Sequence, residues 1–213
     1  EHLDLIDTKS RVDLRTISLV TIDGEDAKDF DDAVYAEQLS KKKGWRILVS
    51  IADVSFFVKA NSYLDKEARH RGNSVYLPNY VIPMLPEELS NNLCSLKPDQ
   101  DRACLTVEII LDNNGQKKSH SFFRSIINSK KRLTYNEVED VIKSKFLNQD
   151  FETNILTVIK SLHNVYKILE GLREKRGALN LELPEKKILF DEEGWPQDVK
   201  KFMEFQVIKL LKS

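Results

Sequence analysis

The apolar residues of this chain change their spacing near residue 130, and this change limits the folds that the chain can adopt. Before that point, short β-branched or alternating runs are separated by turn signals such as KKKG and DNNG, a pattern typical of strands. After it, apolar residues recur at helical spacing. The pattern predicts an α+β (mixed α/β) fold, with a mixed sheet in a strand-rich N-terminal half and a helical second half. The predicted strands are residues 17–22, 33–39, 46–54 and 104–112.

Two helices are predicted in the second half. Residues 134–146 begin with Thr134 three positions before Glu137, which is the spacing of a capping box. Residues 154–177 carry apolar side chains along one helical face, and Gly177 is a suitable C-terminal stop. Both segments are therefore expected to pack an apolar face against the sheet.

Four further segments have weaker signals. Residues 61–71 favour a helix, residues 186–199 a short hairpin, and residues 200–213 an amphipathic tail that we predict to be helical. Residues 74–98 are rich in proline and are predicted to be a long functional loop without regular structure. The prolines of this loop are Pro78, Pro83 and Pro86.

Composition excludes several classes of protein. The 213 residues include 33 Lys and Arg against 34 Asp and Glu, so the net charge of -1 neither demands nor excludes a polyanionic partner. Cys94 and Cys104 form no CxxC pair, which disfavours a disulfide framework or a zinc site. No apolar run approaches the ~18 residues of a membrane span, and the polar start is not typical of a signal peptide. We therefore expect a cytoplasmic location and no contact with a membrane.

One stretch of the strand-rich half is strongly acidic. Residues 21–34 read TIDGEDAKDFDDAV and place five aspartates and one glutamate within ten positions. Carboxylates ~4 Å apart repel by about 1 kcal/mol in water and by several in a low-dielectric cleft, so a cation is expected beside them. If the preceding strand ends at Asp23, a turn can bring Asp29, Asp31 and Asp32 back beside it. Such oxygen ligands suit Mg²⁺ or Mn²⁺, which in pairs can clamp the oxygens of a phosphoryl displacement.

Two other interpretations of the acidic stretch stay open on the residues alone. A calcium-binding EF-hand loop needs acids and a glycine at fixed positions, and the stretch counted from Asp23 fails that pattern at two of them. An ordinary solvated turn is the other interpretation, because turns favour aspartate. Glu25 and Asp26 fit that second role.

The chain also contains several long motifs in a fixed order: DLRTISLVTIDGEDAKDFDDAVYAE, SIADVSFFV, LDKEARHRGNSVYLPNYVIPMLPEELSNNLCSLKP, RLTYNEVEDVI and LREKRGALNLELPE. Together they resemble the catalytic (RNB) domain of the ribonuclease II and ribonuclease R family, and they are closer to the ribonuclease R branch. The resemblance covers about residues 11–199. It implies a 3′-to-5′ exoribonuclease that hydrolyses single-stranded RNA and releases nucleoside 5′-monophosphates.

The resemblance implies roles for individual residues. Asp23, Asp29, Asp31 and Asp32 stand at the positions of the family's four aspartates around one or two Mg²⁺ ions, for which Mn²⁺ can substitute. Asp31 and Asp29 are the predicted catalytic residues, and Asp31 stands where the family tolerates loss least. Tyr76 matches an aromatic residue that stacks on the terminal base, a contact that is indifferent to base identity.

Further residues are candidates for contact with RNA. Asn91 and Asn92 can hydrogen-bond ribose or phosphate groups, although asparagine serves equally well in caps and turns. Arg132 and Arg176 are candidates for phosphate contact, and each can instead be a member of a surface ion pair. The remaining arginine candidates are Arg11, Arg15 and Arg71.

The sequence departs from the family in two respects. Leu181 stands near the position of a second RNA-clamping aromatic residue, so weaker clamping is expected. The family's domain also continues into a segment that supplies an arginine and a glutamate of the catalytic centre, and the sequence stops before them. We interpret residues 1–199 as the N-terminal portion of an incomplete RNB catalytic domain and residues 200–213 as a tail without alignment.

Two functions therefore stay open. The first is the N-terminal part of a ribonuclease R-like exoribonuclease domain that retains its metal-binding aspartates. The second is a catalytically inactive remnant, or half of a split enzyme, that binds RNA or metal and pairs with a separately encoded C-terminal half.

Overall fold

A seven-stranded mixed sheet forms the centre of the molecule. The computed structural model describes residues 8–40, 43–77, 80–147, 151–178, 185–191 and 193–202. In chain order the strands are β1 (Val12–Asp13), β2 (Val20–Asp23), β3 (Asp32–Gln38), β4 (Trp45–Ala52), β5 (Val75–Leu77), β6 (Tyr80–Ile82), β7 (Asp101–Leu111), β8 (Lys117–Asn128), β9 (Lys131–Thr134), β10 (Glu185–Phe190) and β11 (Pro196–Phe202). The helices are α1 (Val54–Phe57), α2 (Tyr63–Arg71), α3 (Tyr135–Lys143) and α4 (Thr153–Lys175), with a π-helical segment at Leu89–Leu93.

The strands of the sheet follow the order β1-β8-β7-β4-β3-β2-β9. The central strands are antiparallel, whereas β1 pairs with β8 and β9 pairs with β2 in parallel. This arrangement confirms the predicted mixed sheet and the α+β fold class. β5 with β6, and β10 with β11, form two separate hairpins.

Each face of the sheet carries its own hydrophobic core. Successive strand residues point to opposite faces, so Val34 and Ala36 of β3 join one core while Ala33 joins the other. α3 and α4 cover the first face with apolar residues that include Val141 and Ile159. The second core is closed by segments between strands, and the acidic stretch that joins β2 to β3 contributes a residue to it.

The two predicted helices of the second half are confirmed. The Thr134 hydroxyl accepts a hydrogen bond from the Glu137 amide (3.1 Å), and the Glu137 carboxylate accepts one from the Thr134 amide (2.7 Å), which completes the capping box. α4 ends before Gly177, whose φ of 71° is a left-handed conformation that glycine adopts without strain. The helix at residues 61–71 and the hairpin at 186–199 are also present, as α2 and as β10 with β11.

The prediction that residues 74–98 lack regular structure is wrong. Tyr76 pairs with Val81 in the hairpin of β5 and β6, and Leu89–Leu93 form the π-helical segment. Pro83 directly follows β6, and the carbonyl of Pro86 accepts hydrogen bonds from the first residues of the π-helical segment. These two prolines bound the regular elements instead of interrupting them.

β8 was not predicted because its first half is exposed and shows no alternation of apolar residues. It pairs with β7 along almost its whole length, from Asn128 opposite Asp101 to Lys117 opposite Leu111. The helical prediction for the tail is wrong at residues 200–202, which belong to β11, and residues 203–213 lie outside the described part of the chain.

Both cysteines are free and buried, as expected. Burial raises the pKa of the Cys94 thiol to about 11 and also raises that of Cys104. Among the described residues, no helix is both long enough and apolar enough to cross a membrane.

A buried ion pair joins the residue before β1 to the residue after β4. Arg11 Nη2 donates to Asp53 Oδ2 at 2.7 Å, and the side chains are only 3% and 4% exposed. Arg11 also donates to the carbonyls of Cys104 and Ser125, and Ser55 donates to Asp53 at 2.6 Å. Burial opposes ionisation of Asp53, but the hydrogen bonds from Ser55 and Arg11 outweigh it and lower its pKa. Arg11 is therefore part of the scaffold and is not available to contact RNA.

We expect Asp53→Asn to lower the free energy of unfolding by about 3 kcal/mol, because it leaves the Arg11 guanidinium buried without a counter-charge. Urea denaturation measures this loss. Arg69→Ala is the matched control, since it removes an ion pair with Asp65 in which the arginine side chain is 74% exposed and should cost less than about 1 kcal/mol. Equal losses in the two variants would contradict a dominant role for the buried pair.

Candidate functional site

The four predicted metal ligands lie at one end of the sheet, on the connection between β2 and β3. We call residues 23–32 the acidic loop. Asp23 is the last residue of β2 and Asp32 is the first of β3. These strands are antiparallel, with Val20 opposite Val34. The end of β2 and the start of β3, and with them both aspartates, therefore lie at the same end of the sheet. Asp29 and Asp31 precede β3 on the returning part of the loop.

Neighbouring segments hold the backbone of the acidic loop in place. The Phe30 amide donates to Ser95 Oγ (3.1 Å), and Ser95 Oγ donates to the Lys28 carbonyl (2.8 Å). The carbonyl of Phe30 accepts from the Leu96 amide, and that of Asp31 accepts from Ala52, each at 2.9 Å. Phe30 is only 9% exposed and packs in the second core. The buried ring and these bonds fix the two aspartates that flank it.

Burial raises the pKa values of three aspartates of the acidic loop, and neighbouring carboxylates add to this rise for two of them. Partial burial raises the pKa of Asp23 to about 6, with a further contribution from Asp32, while the charge of Arg132 opposes the rise. Burial, then Asp29 and Asp32, raise the pKa of Asp31, and burial raises that of Asp32. The loop thus concentrates negative charge that the protein itself only partly neutralises.

The chemistry of this donor set fits Mg²⁺ or Mn²⁺. Within the described ranges, no three Asp, Glu, His or Cys side chains are grouped closely enough to hold a metal ion by themselves. Mg²⁺ does not require such a cage, because it usually keeps several waters and binds through one or two carboxylates together with substrate phosphates. An EF-hand is excluded, because its calcium loop joins two helices whereas the acidic loop joins two strands.

The hairpin of β5 and β6 lies opposite the acidic loop and closes a cleft. Tyr76 Oη donates to Asp29 Oδ2 at 3.4 Å, and the charge of Asp29 together with partial burial raises the pKa of Tyr76. Its side chain is nevertheless 69% exposed. A cavity of about 370 Å³ lies between the two elements, and its lining includes Asp29, Asp31, Ile51, Tyr76, Met84 and Cys94.

The two predicted asparagines differ in position. Asn91 lines an adjoining cavity of about 550 Å³ together with Asp29, Tyr76 and Tyr80. Asn92 is engaged elsewhere, because its amide donates to Glu88 (2.8 Å) and its side-chain oxygen accepts from Lys97 (3.1 Å). Only Asn91 therefore lies beside the carboxylates, and contact of either residue with RNA stays a prediction.

The predicted arginines also differ in their positions and partners. Arg132 lies on β9, and its Nη2 donates to the carbonyls of Gly24 (2.6 Å) and Glu25 (2.8 Å) in the acidic loop. Two of the other candidates form ion pairs: Arg15 pairs with Asp13 and Asp101, and Arg71 pairs with Glu67.

Arg176 lies away from the acidic loop. It follows α4, whose last turns contain Leu172, a neighbour of Gly115 in the turn between β7 and β8. That turn lies at the opposite end of the sheet from Asp32, and the seven residues of β3 alone span roughly 20 Å. Arg176 is exposed and lines neither cavity of the cleft. Its contact with RNA stays a prediction, as does the role of Leu181, which lies outside the described residues.

Tyr135 lies near the acidic loop, and the sequence analysis did not identify it. Burial, together with the charges of Asp23 and Asp32, raises its pKa. Its place follows from strand pairing, because the preceding Thr134 lies opposite Asp23 in the parallel register of β9 and β2. The sequence analysis did not identify Tyr135 because the capping box explained the residues around it as the start of a helix.

Comparison with protein families and curated sequences gives a consistent result. The family model for the RNB domain matches residues 11–213. Ribonuclease R of Vibrio parahaemolyticus is 47% identical over 183 residues, and ribonuclease R of Escherichia coli is 47% identical over 186 residues. Each alignment covers 86% of this chain and 22% of the relative. The chain thus spans about a fifth of the length of these relatives.

Solved structures give the same relation in three dimensions. RNase R of Mycoplasma genitalium in complex with ribose-methylated single-stranded RNA superposes with a TM-score of 0.90 at 34% identity, covering 95% of this chain and 31% of that one. The same protein in complex with double-stranded RNA also gives a TM-score of 0.90, and the match covers 95% of this chain and 36% of that one.

Without divalent cations, we expect Asp23→Asn to raise the free energy of unfolding by about 1 kcal/mol at pH 7.5, after discounting for solvent screening. A folded-state pKa of about 6 against an ordinary value of 3.8 means that the folded protein loses stability as pH rises through this window. The variant escapes that loss, so its advantage should disappear below about pH 4. Urea denaturation in EDTA at both pH values measures the difference, and a variant less stable than the parent at pH 7.5 contradicts the expectation.

Proposed function

The chain belongs to the RNB-domain family of ribonuclease R, and we propose that it carries the metal-binding part of a 3′-to-5′ exoribonuclease. The proposed reaction is Mg²⁺-dependent hydrolysis of single-stranded RNA, with release of nucleoside 5′-monophosphates. Mn²⁺ is the proposed substitute for Mg²⁺, and the cytoplasm is the proposed location. Since the chain spans about a fifth of its curated relatives, the activity of the whole protein is part of this proposal.

One observation carries the proposal: the acidic loop and Tyr76 face each other across the same cleft. Asp29 and Asp31 line its cavity, and Asp23 and Asp32 interact with them electrostatically. A phosphate held by a cation at the loop therefore lies within reach of an aromatic ring. This is the combination that a terminal nucleotide requires, with its phosphate bound on one side and its base on the other.

The four aspartates are the residues proposed to hold the cation, with Asp31 and Asp29 closest to the reacting phosphate. When bound, Mg²⁺ lowers the pKa of water and neutralises charge that develops on a phosphate. The protein orients the carboxylates through the fixed backbone of the acidic loop. Burial and the neighbouring carboxylates raise the pKa values of Asp23 and Asp31, which supports the proposal, because a bound cation would relieve the repulsion between these groups.

The walls of the cleft are suited to a base of any identity. Ile51, Val54, Met84 and Leu85 line the cavity beside Tyr76. Apolar side chains and an aromatic ring bind the face of a base without reading its hydrogen-bonding edge, and stacking is worth roughly 1–3 kcal/mol per base. Asn91, at the adjoining cavity, is proposed to contact ribose or phosphate.

We expect Asp31→Asn to reduce Mg²⁺-dependent release of nucleoside monophosphates by at least about 100-fold while the protein keeps its thermal stability, because the change removes a ligand charge and relieves repulsion. Thin-layer analysis of products from a 3′-tailed RNA measures the loss. Asp26→Asn is the matched control, since it removes an equal charge from the same loop at a position without a family role. Digestion by Asp31→Asn at the parent's rate would refute the assignment.

We expect Tyr76→Ala to change the length of the final oligonucleotide product, since a short RNA would lose the stacking that holds its last base. Tyr76→Phe keeps the ring and removes only the hydroxyl that donates to Asp29, so it should retain the parent's product length. High-resolution gels of 5′-labelled products measure both variants. An unaltered product pattern in Tyr76→Ala would argue that the residue is only structural.

A second candidate function is a chain that binds metal or RNA and needs another polypeptide for cleavage, such as a separately encoded C-terminal half. Incubation of the purified chain with 5′-labelled single-stranded RNA and Mg²⁺ separates the two candidates. Shortening of the RNA supports independent activity, whereas binding without shortening supports the second candidate.

A further inference from the structure

We infer that Arg132 is a positioning residue that fixes the acidic loop and does not contact RNA phosphates. The inference rests on the proposed function, because it concerns the geometry of the carboxylates that would hold the cation. It assigns Arg132 a role different from the phosphate contact that the sequence suggests.

The first support is a pair of hydrogen bonds at the beginning of the acidic loop. Arg132 Nη2 donates to the carbonyl of Gly24 at 2.6 Å and to that of Glu25 at 2.8 Å. These two residues directly follow Asp23. The bonds therefore hold the chain where it leaves β2 and limit the directions that the Asp23 carboxylate can take.

The second support is a contact at the other end of the loop. The Arg132 guanidinium carbon lies 5.7 Å from the centroid of the Phe30 ring, which is within the range of a cation–π interaction. Phe30 lies between Asp29 and Asp31 and is only 9% exposed. One guanidinium thus touches both the segment after Asp23 and the ring between the other two cleft aspartates.

The third support is that Arg132 has little freedom to turn toward a substrate. Its strand is held by parallel pairing, with Arg132 opposite Thr21 and Thr134 opposite Asp23. Its Nε is buried and has no hydrogen-bond partner in the described part of the protein. A phosphate cannot reach a buried Nε without moving the loop, so the edge of the guanidinium formed by Nε and Nη2 is not available for bidentate phosphate contact.

The planar shape of the arginine side chain explains why this role requires arginine. The planar guanidinium can donate in its plane to two carbonyls and present its face to an aromatic ring at the same time. A lysine ammonium keeps the positive charge but has no plane to stack on Phe30 and no fixed fork. Arg132→Lys therefore tests geometry at nearly constant charge.

Mn²⁺ affinity gives a test in which the sign of the change is decisive. Removal of a positive charge beside a cation site strengthens cation binding if electrostatics alone acts. If Arg132 positions the loop, its removal weakens binding instead. We expect the dissociation constant for Mn²⁺, measured by calorimetric titration without RNA, to rise about tenfold in Arg132→Met and also to rise in Arg132→Lys.

Arg46→Met is the matched control. Arg46 is a half-buried arginine whose partners are Glu37 and Glu108, and it lies toward the opposite end of the sheet from the acidic loop. Arg46→Met should lower the free energy of unfolding by about as much as Arg132→Met does, and it should leave the Mn²⁺ affinity unchanged. Arg132→Lys keeps the test available if Arg132→Met does not fold.

RNA binding in EDTA provides the second measurement, because it does not depend on the position of a metal. Loss of one phosphate contact lowers the slope of log Kd against log salt by about 0.7 for a single strand. We expect an oligoadenylate to give the same slope with the parent and with Arg132→Lys and Arg132→Met.

The possible outcomes are distinct. Mn²⁺ affinity that is unchanged or higher in both Arg132 variants, or a salt slope that falls by one contact, overturns the inference. A parent chain that binds neither Mn²⁺ nor RNA overturns the proposed function itself, which is a separate result.

Discussion

The repulsion among four carboxylates at one end of the sheet is the constraint on which the rest of the site depends. A loop with this charge would open into solvent unless the neighbouring segments held it, and several of them do. Ser95 and Leu96 hold the backbone around Phe30, Ala52 holds Asp31, and Arg132 holds the residues that follow Asp23. Burial, with a further contribution from the neighbouring carboxylates, raises the pKa of Asp23 to about 6. The divalent cation of the proposed function would convert the repulsion among these carboxylates into an attraction.

The sheet that carries the acidic loop is stabilised by buried apolar and polar contacts, which offset the repulsion among the carboxylates. Two cores on opposite faces bury the central strands, and the buried Arg11–Asp53 ion pair joins the residue before β1 to the residue after β4. Hydroxyl groups of Ser50, Thr106 and Ser125 form a buried chain of hydrogen bonds across β4, β7 and β8, at 2.8 Å and 2.6 Å. Such satisfied polar contacts specify one register, because a shift by one residue would leave each hydroxyl without a partner. The acidic loop begins and ends on this rigid frame, which explains how carboxylates on a loop keep defined positions.

The second wall of the cleft has a different character. The hairpin of β5 and β6 exposes Tyr76, Leu77 and Tyr80 to solvent, and among the described strands β5 and β6 pair only with each other. Few buried contacts and much exposed apolar surface are properties of elements that move or that bind something. The cleft of the proposed function thus lies between a rigid acidic wall and a less anchored aromatic wall.

Local patterns were sufficient to predict the capping box of α3, the stop of α4 at Gly177, most central strands and the run of aspartates, because each depends on residues close together in the chain. They were not sufficient for β8, whose exposed half carries no alternation, or for the hairpin of β5 and β6, because pairing between strands is not encoded in spacing. The sequence also could not tell which of Arg132 and Arg176, or which of Asn91 and Asn92, lies beside the acidic loop. The two members of each pair have the same chemistry and differ only in their position in the fold. The chemical groups available to the site follow from the amino-acid sequence alone. Which of these groups meet depends on the fold, because strand pairing between distant segments places Tyr76, Tyr135 and Arg132 near the acidic loop.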